Sequence, residues 1–203
     1  RAQLLEAGIG ALDGVVYTHA HADHTHGLDD LRMIVFNMRR RLPVWADAPT
    51  RADLFQRFGY AFVQPEGSNY PPILDMNSIE GEVSVTGPGG PVRLTPFRVG
   101  HGDITALGFR IGDVAYLPDA DHIPDESWPT LAKLKVWIVD ALRRKPHPSH
   151  AHLDMTLGWI GRAAPERAIL TNMHIDLYYA TVAAETPDHV TPAHDGLSFT
   201  VPG

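Results

Sequence analysis

The sequence predicts a layered α/β fold, and three observations carry that expectation. Short apolar runs that read as strands alternate with stretches of helical spacing. The second half opens with several such runs in succession, punctuated by glycine. Histidine and aspartate gather where the apolar runs end. With 203 residues, 44% hydrophobic and 20% charged, the chain can bury a sizeable core and reads as a single domain over residues 1–203.

The chain enters directly into an apolar-periodic stretch, R-A-Q-L-L-E-A-G, and so reads as an interior fragment. Gly14 to Thr18 (G-V-V-Y-T) forms a short buried strand, and Leu28, Leu31, Val35, Met38 and Leu42 follow at helical spacing, which puts a strand-to-helix turn between them. Pro43 to Ala46 is the next strand, and Thr50 is placed to cap a helix carrying Leu54, Phe55 and Phe58. Gln64 to Pro72 (Q-P-E-G-S-N-Y-P-P) has turn chemistry and little periodicity; it is expected to be a loop serving as a lid or an oligomer contact, which leaves a homodimer open.

From Val83 onward, V-S-V-T, V-R-L-T-P-F-R-V up to Gly100, L-G-F-R-I and V-A-Y-L up to Pro118 predict an antiparallel meander, with Gly87 to Pro91 and Gly112-Asp113 as its turns. Val136 to Asp140 (V-W-I-V-D) and Ala168 to Thr171 (A-I-L-T) are strands separated by a helix through Leu157, Ile160 and Gly161. A last helix is expected from about Leu177 to Glu185, and L-S-F-T-V reads as a closing strand.

Bulk properties remove several function classes. A formal charge of −7 supplies no broad basic field, which argues against nucleic acid and anionic membranes as partners. No apolar run approaches the roughly 18 residues of a membrane span and no signal-peptide pattern opens the chain, so a soluble, cytoplasmic protein is expected. The chain has no cysteine, which excludes disulfides, thiolate zinc sites and cysteine nucleophiles; any metal must be held by histidine and carboxylate. Neither a G-x-x-x-x-G-K-[ST] loop nor a G-x-S-x-G elbow is present, which argues against nucleoside-triphosphate hydrolysis and covalent acyl-enzyme chemistry.

The chemistry concentrates in T-H-A-H-A-D-H-T-H-G, Thr18 to Gly27. His19 and His21 stand two apart at the end of a strand, so their side chains can point the same way. Asp23 and His24 begin the turn that follows and can offer a second pair nearby. Imidazole nitrogens bind Zn2+ at about 2.0–2.1 Å and carboxylate oxygens at about 2.0–2.2 Å, so one turn can furnish ligands for one ion and part of a second.

His19-Ala20-His21-Ala22-Asp23-His24, preceded by V-V-Y-T and followed by Gly27-Leu28, resembles the signature of the metallo-β-lactamase superfamily, whose fold is an αββα sandwich. The later stretches fit in order. Val99-Gly100-His101-Gly102 resembles the next histidine motif, Tyr116-Leu117-Pro118-Asp119 the metal-bridging aspartate, and Leu170-Thr171-Asn172-Met173-His174 the final histidine motif. The resemblance implies that His19, His21 and His101 hold one divalent ion, Asp23, His24 and His174 the other, and Asp119 both. Asp121 stands in reserve for Asp119. Many relatives place a histidine directly after the L-T pair, where this chain has Asn172, so Asn172 stands in reserve for His174. His26 is left outside the ligand set. The ions are Zn2+, which suits the histidines, or Mn2+, which suits a carboxylate bridge.

Asp140-Ala141-Leu142-Arg143, His147-Pro148-Ser149-His150, L-T-N-M-H and A-H-D-G-L further resemble the branch containing the carbon–phosphorus lyase accessory phosphodiesterase, which opens phosphoribosyl 1,2-cyclic phosphates. That resemblance implies a small phosphorylated substrate, with His150 as phosphate contact or acid, His147 and His152 competing for the role, and Arg143 as a weaker phosphate contact. It also implies catalysis by Asp23, Asp119 and His150 around a metal-bridging hydroxide. Tyr178 departs from the acidic residue common there. Strands at one sheet edge, and a segment resembling I-D-T-S-P-D, precede this region in the family. The domain is therefore expected to be N-terminally incomplete, continued in a longer protein or completed by a partner. A thioester or lactone hydrolase, or a metal-binding domain without turnover, remains open; an RNA-processing nuclease is disfavoured by the acidic chain.

Overall fold

Residues 1–201 are described by a computed structural model, in which the chain divides at Arg93 into two units. The first unit contains α1 (Ala2–Glu6), β1 (Val15–Val16), α2 (Ala22–Thr25), α3 (Leu31–Met38), β2 (Leu42–Ala46), α4 (Ala48–Phe62), β3 (Leu74–Ser78) and β4 (Val83–Gly87). Strands β1, β2 and β3 form a parallel sheet in that order, with Val15 opposite Val44 and Leu42 opposite Leu74. Parallel neighbours require a crossover, and α3 and α4 provide it. In β2 the alternation is regular: Leu42, Val44 and Ala46 are buried, whereas Pro43 and Trp45 are half-buried. Leu31 and Val35 of α3 and Leu54, Ala61 and Phe62 of α4 close over the same core.

Two expectations for this unit are corrected. Leu42 belongs to β2, not to the helix before it; Arg39 turns left-handed (φ +53) and ends α3, and a residue before proline favours extended backbone. The cap of α4 is Asp47 rather than Thr50, which instead donates its backbone N–H to Asp47 Oδ1 at 3.1 Å. Strand β3, L-D-M-N-S, has weak strand propensity; pairing with β2 overrides it. Gly14 has no alternative, because a Cβ there would lie 2.6 Å from the Trp45 ring.

The second unit carries β5 (Gly90–His101) from Leu94 onward, β6 (Ile104–Ile111), β7 (Val114–Leu117), β8 (Val136–Asp140), α5 (Leu153–Ala163), β9 (Arg167–Thr171), α6 (Tyr179–Glu185) and β10 (Val190–Pro192). Strands β5, β6 and β7 are antiparallel neighbours, as the meander reading expects, with Thr95 opposite Arg110 and Phe109 opposite Tyr116. From β7 through β8 and β9 to β10 the pairing is parallel. V-W-I-V-D and A-I-L-T are continuous apolar runs because central parallel strands are covered on both faces. The edge position expected for L-S-F-T-V is taken by Val190–Pro192, while residues 197–201 form no strand. A short proline-containing run suits an edge, where a missing N–H breaks no ladder.

Trp137 is the largest fully buried side chain of this unit. Trp137→Ala is expected to cost about 3–5 kcal/mol of stability, read from denaturant unfolding. Trp137→Phe should cost far less, because its indole N–H has no hydrogen-bond partner among the described residues. No helix among the described residues is long and apolar enough to cross a membrane.

Candidate metal centre

In the first unit β1 ends at Val16, and the N–H of the next residue, Tyr17, still reaches the Trp45 carbonyl at 2.9 Å. The next residues leave the sheet. His19 is 1% exposed; His21, in extended conformation, is the residue from which α2 starts, and Asp23 and His24 fall in that helix. The His19 ring lies 4.7 Å from that of His21 and 4.3 Å from that of His24, and Asp23 Oδ2 is 3.3 Å from His24 Nε2. The donor atoms of His19 and His21 lie within 4.8 Å of each other, as do those of Asp23 and His24. Three imidazoles and a carboxylate at this spacing make a donor set of the kind that divalent zinc or manganese takes. Thr18 Oγ1, 3.1 Å from His19 Nδ1, orients the first ring.

In the second unit, successive strand ends deliver the polar residues. His101 ends β5, Asp119 follows β7, Asp140 ends β8 and Asn172 follows β9. Ligand sites of α/β sheets sit at the carboxyl ends of parallel strands, and β7, β8 and β9 obey that rule. His101 and Asp119 are each 1% exposed and Asp140 is fully buried. His101 Nδ1–H donates to the Ser149 carbonyl, which fixes the ring with Nε2 3.4 Å from Asp119 Oδ2. Gly102 makes the turn that follows, at φ +59, and a Cβ there would lie 3.0 Å from the Ser149 side chain.

His150 Nδ1 lies 3.1 Å from Asp140 Oδ2 and 4.0 Å from Asp119 Oδ2. Burial pushes the Asp140 carboxyl upward, as does the nearby Asp119 charge; the bonds from His150 and from the Ala120 N–H, the latter at 3.1 Å, oppose it. Asn172, left-handed at φ +59, directs its side-chain amide to Asp119 Oδ1 at 3.1 Å and to Asp140 Oδ1 at 3.4 Å. One connected network thus joins Asp119, Asp140, His150 and Asn172.

The remaining expected residues are placed differently. Asp121 accepts the Gly102 N–H at 2.8 Å and so holds the turn after β5, while Asp119 is the aspartate beside His101. His174 has a side chain 55% exposed and faces Asp176 at 3.5 Å. Arg143 folds back on its own loop, donating to the carbonyls of Lys145 at 3.1 Å and Pro146 at 2.7 Å. His147 is half-buried; desolvation, Arg143 and His150 hold its pKa down. His26 meets Phe58 edge-on at 5.9 Å, and Tyr178 is exposed. Sequence reading missed the pairing of Asp140 with His150 and the Ser149 carbonyl behind His101. Asp140 gave one signal, a carboxylate ending an apolar buried strand; a backbone carbonyl gave none.

Comparison with known proteins agrees with this architecture. A crystal structure of a diphosphatase of the PhnP family is 32% identical, with a TM-score of 0.88 over the whole of this chain and 76% of that one. Human tRNase Z, short form, shares the fold at 15% identity, with a TM-score of 0.70 over 99% of this chain and 84% of that one. An octanoyltransferase of Porphyromonas gingivalis is 32% identical over 202 residues, 97% of this chain and 39% of that protein, so the chain spans about two-fifths of its length. Residues 1–175 match the Beta-lactamase superfamily domain, and the chain belongs to that family, with the metallo-β-lactamase fold.

Proposed function

We propose that this chain is a metal-dependent hydrolase acting on phosphate esters, with a cyclic phosphodiester such as phosphoribosyl 1,2-cyclic phosphate as its substrate. The observation that carries the reading is the Asp119–Asp140–His150–Asn172 network at the strand ends, whose two carboxylates are buried. The similar diphosphatase of the PhnP family, at 32% identity, supports phosphorus chemistry. In this reading His19, His21 and His101 hold one divalent ion, Asp23 and His24 the other, and Asp119 both. The nearness of Asn172 to Asp119 supports Asn172, rather than the exposed His174, as the residue completing the second set.

Divalent ions, when bound, lower the pKa of water and neutralise phosphoryl oxygens. The side chains do the rest. Asp140 fixes the His150 ring through Nδ1, and in this reading Nε2 meets a phosphate oxygen or protonates a leaving oxygen. Asn172 fixes one oxygen each of Asp119 and Asp140 and so sets which oxygens remain for other partners. Arg143 braces the loop that carries His150 and supports catalysis from there.

The test is a panel of cyclic phosphodiesters, linear phosphodiesters, diphosphates, thioesters and lactones, offered to zinc- or manganese-loaded protein, with metal content measured on the same sample. Turnover of the cyclic phosphodiester, with two ions per chain, is the expected result; at most one ion at saturation overturns the ligand assignment. Asn172→Ala should then lose the second ion, whereas His174→Ala should keep it; the reverse returns the role to His174. Preferential thioester turnover would favour the second reading, an acyl hydrolase, for which the octanoyltransferase of P. gingivalis is the supporting relative.

A further inference from the structure

Arg57 lies outside the histidine turn, on α4, yet it grips the backbone of that turn. Its Nη1 donates to the Ala20 carbonyl at 2.6 Å, and its Nη2 lies 3.4 Å from Asp53 Oδ2, one helical turn earlier. Ala20 stands between His19 and His21 and is itself buried, so any rotation of its peptide group swings both imidazoles. Thr25 Oγ1 donates to the His21 carbonyl at 2.9 Å and sits 3.4 Å from that of Ala20. Two successive carbonyls of the turn are therefore held from behind. Helix α4 also departs from helical geometry at the residue after Arg57: Phe58 has φ −128 and ψ 28, and its ring meets His26. The helix bends where it reaches the turn.

Two effects of Arg57 on a bound cation oppose each other. By charge alone a guanidinium repels a nearby divalent ion, and Asp53 offsets only part of that. By its hydrogen bond it fixes the geometry of two ligands, and outer partners of metal ligands are commonly worth about 10–100-fold in affinity. We propose that the second effect wins: Arg57 is a positioning residue that, through the Ala20 carbonyl, holds His19 and His21 in register for a divalent cation and sets the affinity of that pair. The inference rests on the proposed reading of His19 and His21 as metal ligands.

Zinc affinity of the whole chain, measured by competition with a chromophoric chelator, tests it in wild type, Arg57→Ala, Arg57→Gln and Arg57→Lys. The melting temperature of each metal-free protein is measured alongside. Arg57→Ala should bind zinc about tenfold more weakly, with Arg57→Lys and Arg57→Gln, which retain a donor, in between and metal-free melting within about 2 °C of wild type. Equal or tighter binding by Arg57→Ala overturns the proposal, since charge would then outweigh geometry. So does an affinity loss that merely follows a fall in melting temperature. If Arg57→Ala does not fold, the same comparison is made with Arg57→Gln and Arg57→Lys. A wild-type chain that takes up no zinc or manganese is a separate failure, that of the metal-centre reading itself.

Discussion

Asp119→Ala is expected to abolish turnover while leaving part of the metal bound. Asp119 is 1% exposed and its two oxygens are divided: Oδ1 takes the Asn172 amide at 3.1 Å, and Oδ2 faces His101 Nε2 at 3.4 Å. In the proposed assignment it is the one ligand common to both ions, so its loss removes more than the 10²–10³-fold that a single misplaced transition-state donor costs. In that same assignment His19, His21 and His101 would still be available as imidazole ligands for one ion. The measurement is turnover and metal stoichiometry on one preparation, with circular dichroism to establish that the second unit stays folded. Activity near that of wild type would move the bridging role elsewhere. Asp121 would be the first alternative, although its bond to the Gly102 N–H gives it a structural duty already.

The second large effect is expected at His150. His150→Ala should lower turnover of a cyclic phosphodiester by about 10²–10³-fold, the range for removing one positioned donor, with metal content unchanged. A hydrolase of carbonyl substrates that needs only polarised carbonyl and activated water would scarcely notice the change. Asp140→Asn should produce part of the same loss, because the buried carboxylate that accepts from His150 Nδ1 would be replaced by an amide and the ring would lose its preferred tautomer. An unchanged rate in His150→Ala would reject its role and weaken the phosphoester reading. A rate loss that comes with metal loss would make His150 a ligand instead of a substrate contact.

Much of this was legible because the decisive patterns are local. H-x-H-x-D-H lies within six consecutive residues, and a strand followed by a helix start is enough to gather its rings. The apolar runs of β8 and β9 read as buried strands for a similarly local reason, continuous hydrophobicity in short segments. Where reading failed, a neighbour supplied what the segment lacked. L-D-M-N-S is a strand because β2 pairs with it, and V-T-P takes the sheet edge ahead of L-S-F-T-V because Val190 packs into the core beside β9.

By itself, the sequence determined the chemistry available: with no cysteine, only imidazole and carboxylate could serve a metal, and their order along the chain named the superfamily. It also determined which segments would be strands wherever apolar periodicity was strong. Tertiary structure alone decided the partnerships. Asp119 and Asn172 are 53 positions apart and Arg57 is 37 from Ala20, yet hydrogen bonds join both pairs. Such bonds depend on strand order, on which residue turns left-handed after β9 and on where α4 bends, and none of these has a local signature. A side chain's type is written in the sequence; its partner is chosen by packing, which brings distant strand ends within 3 to 4 Å only after the core has formed.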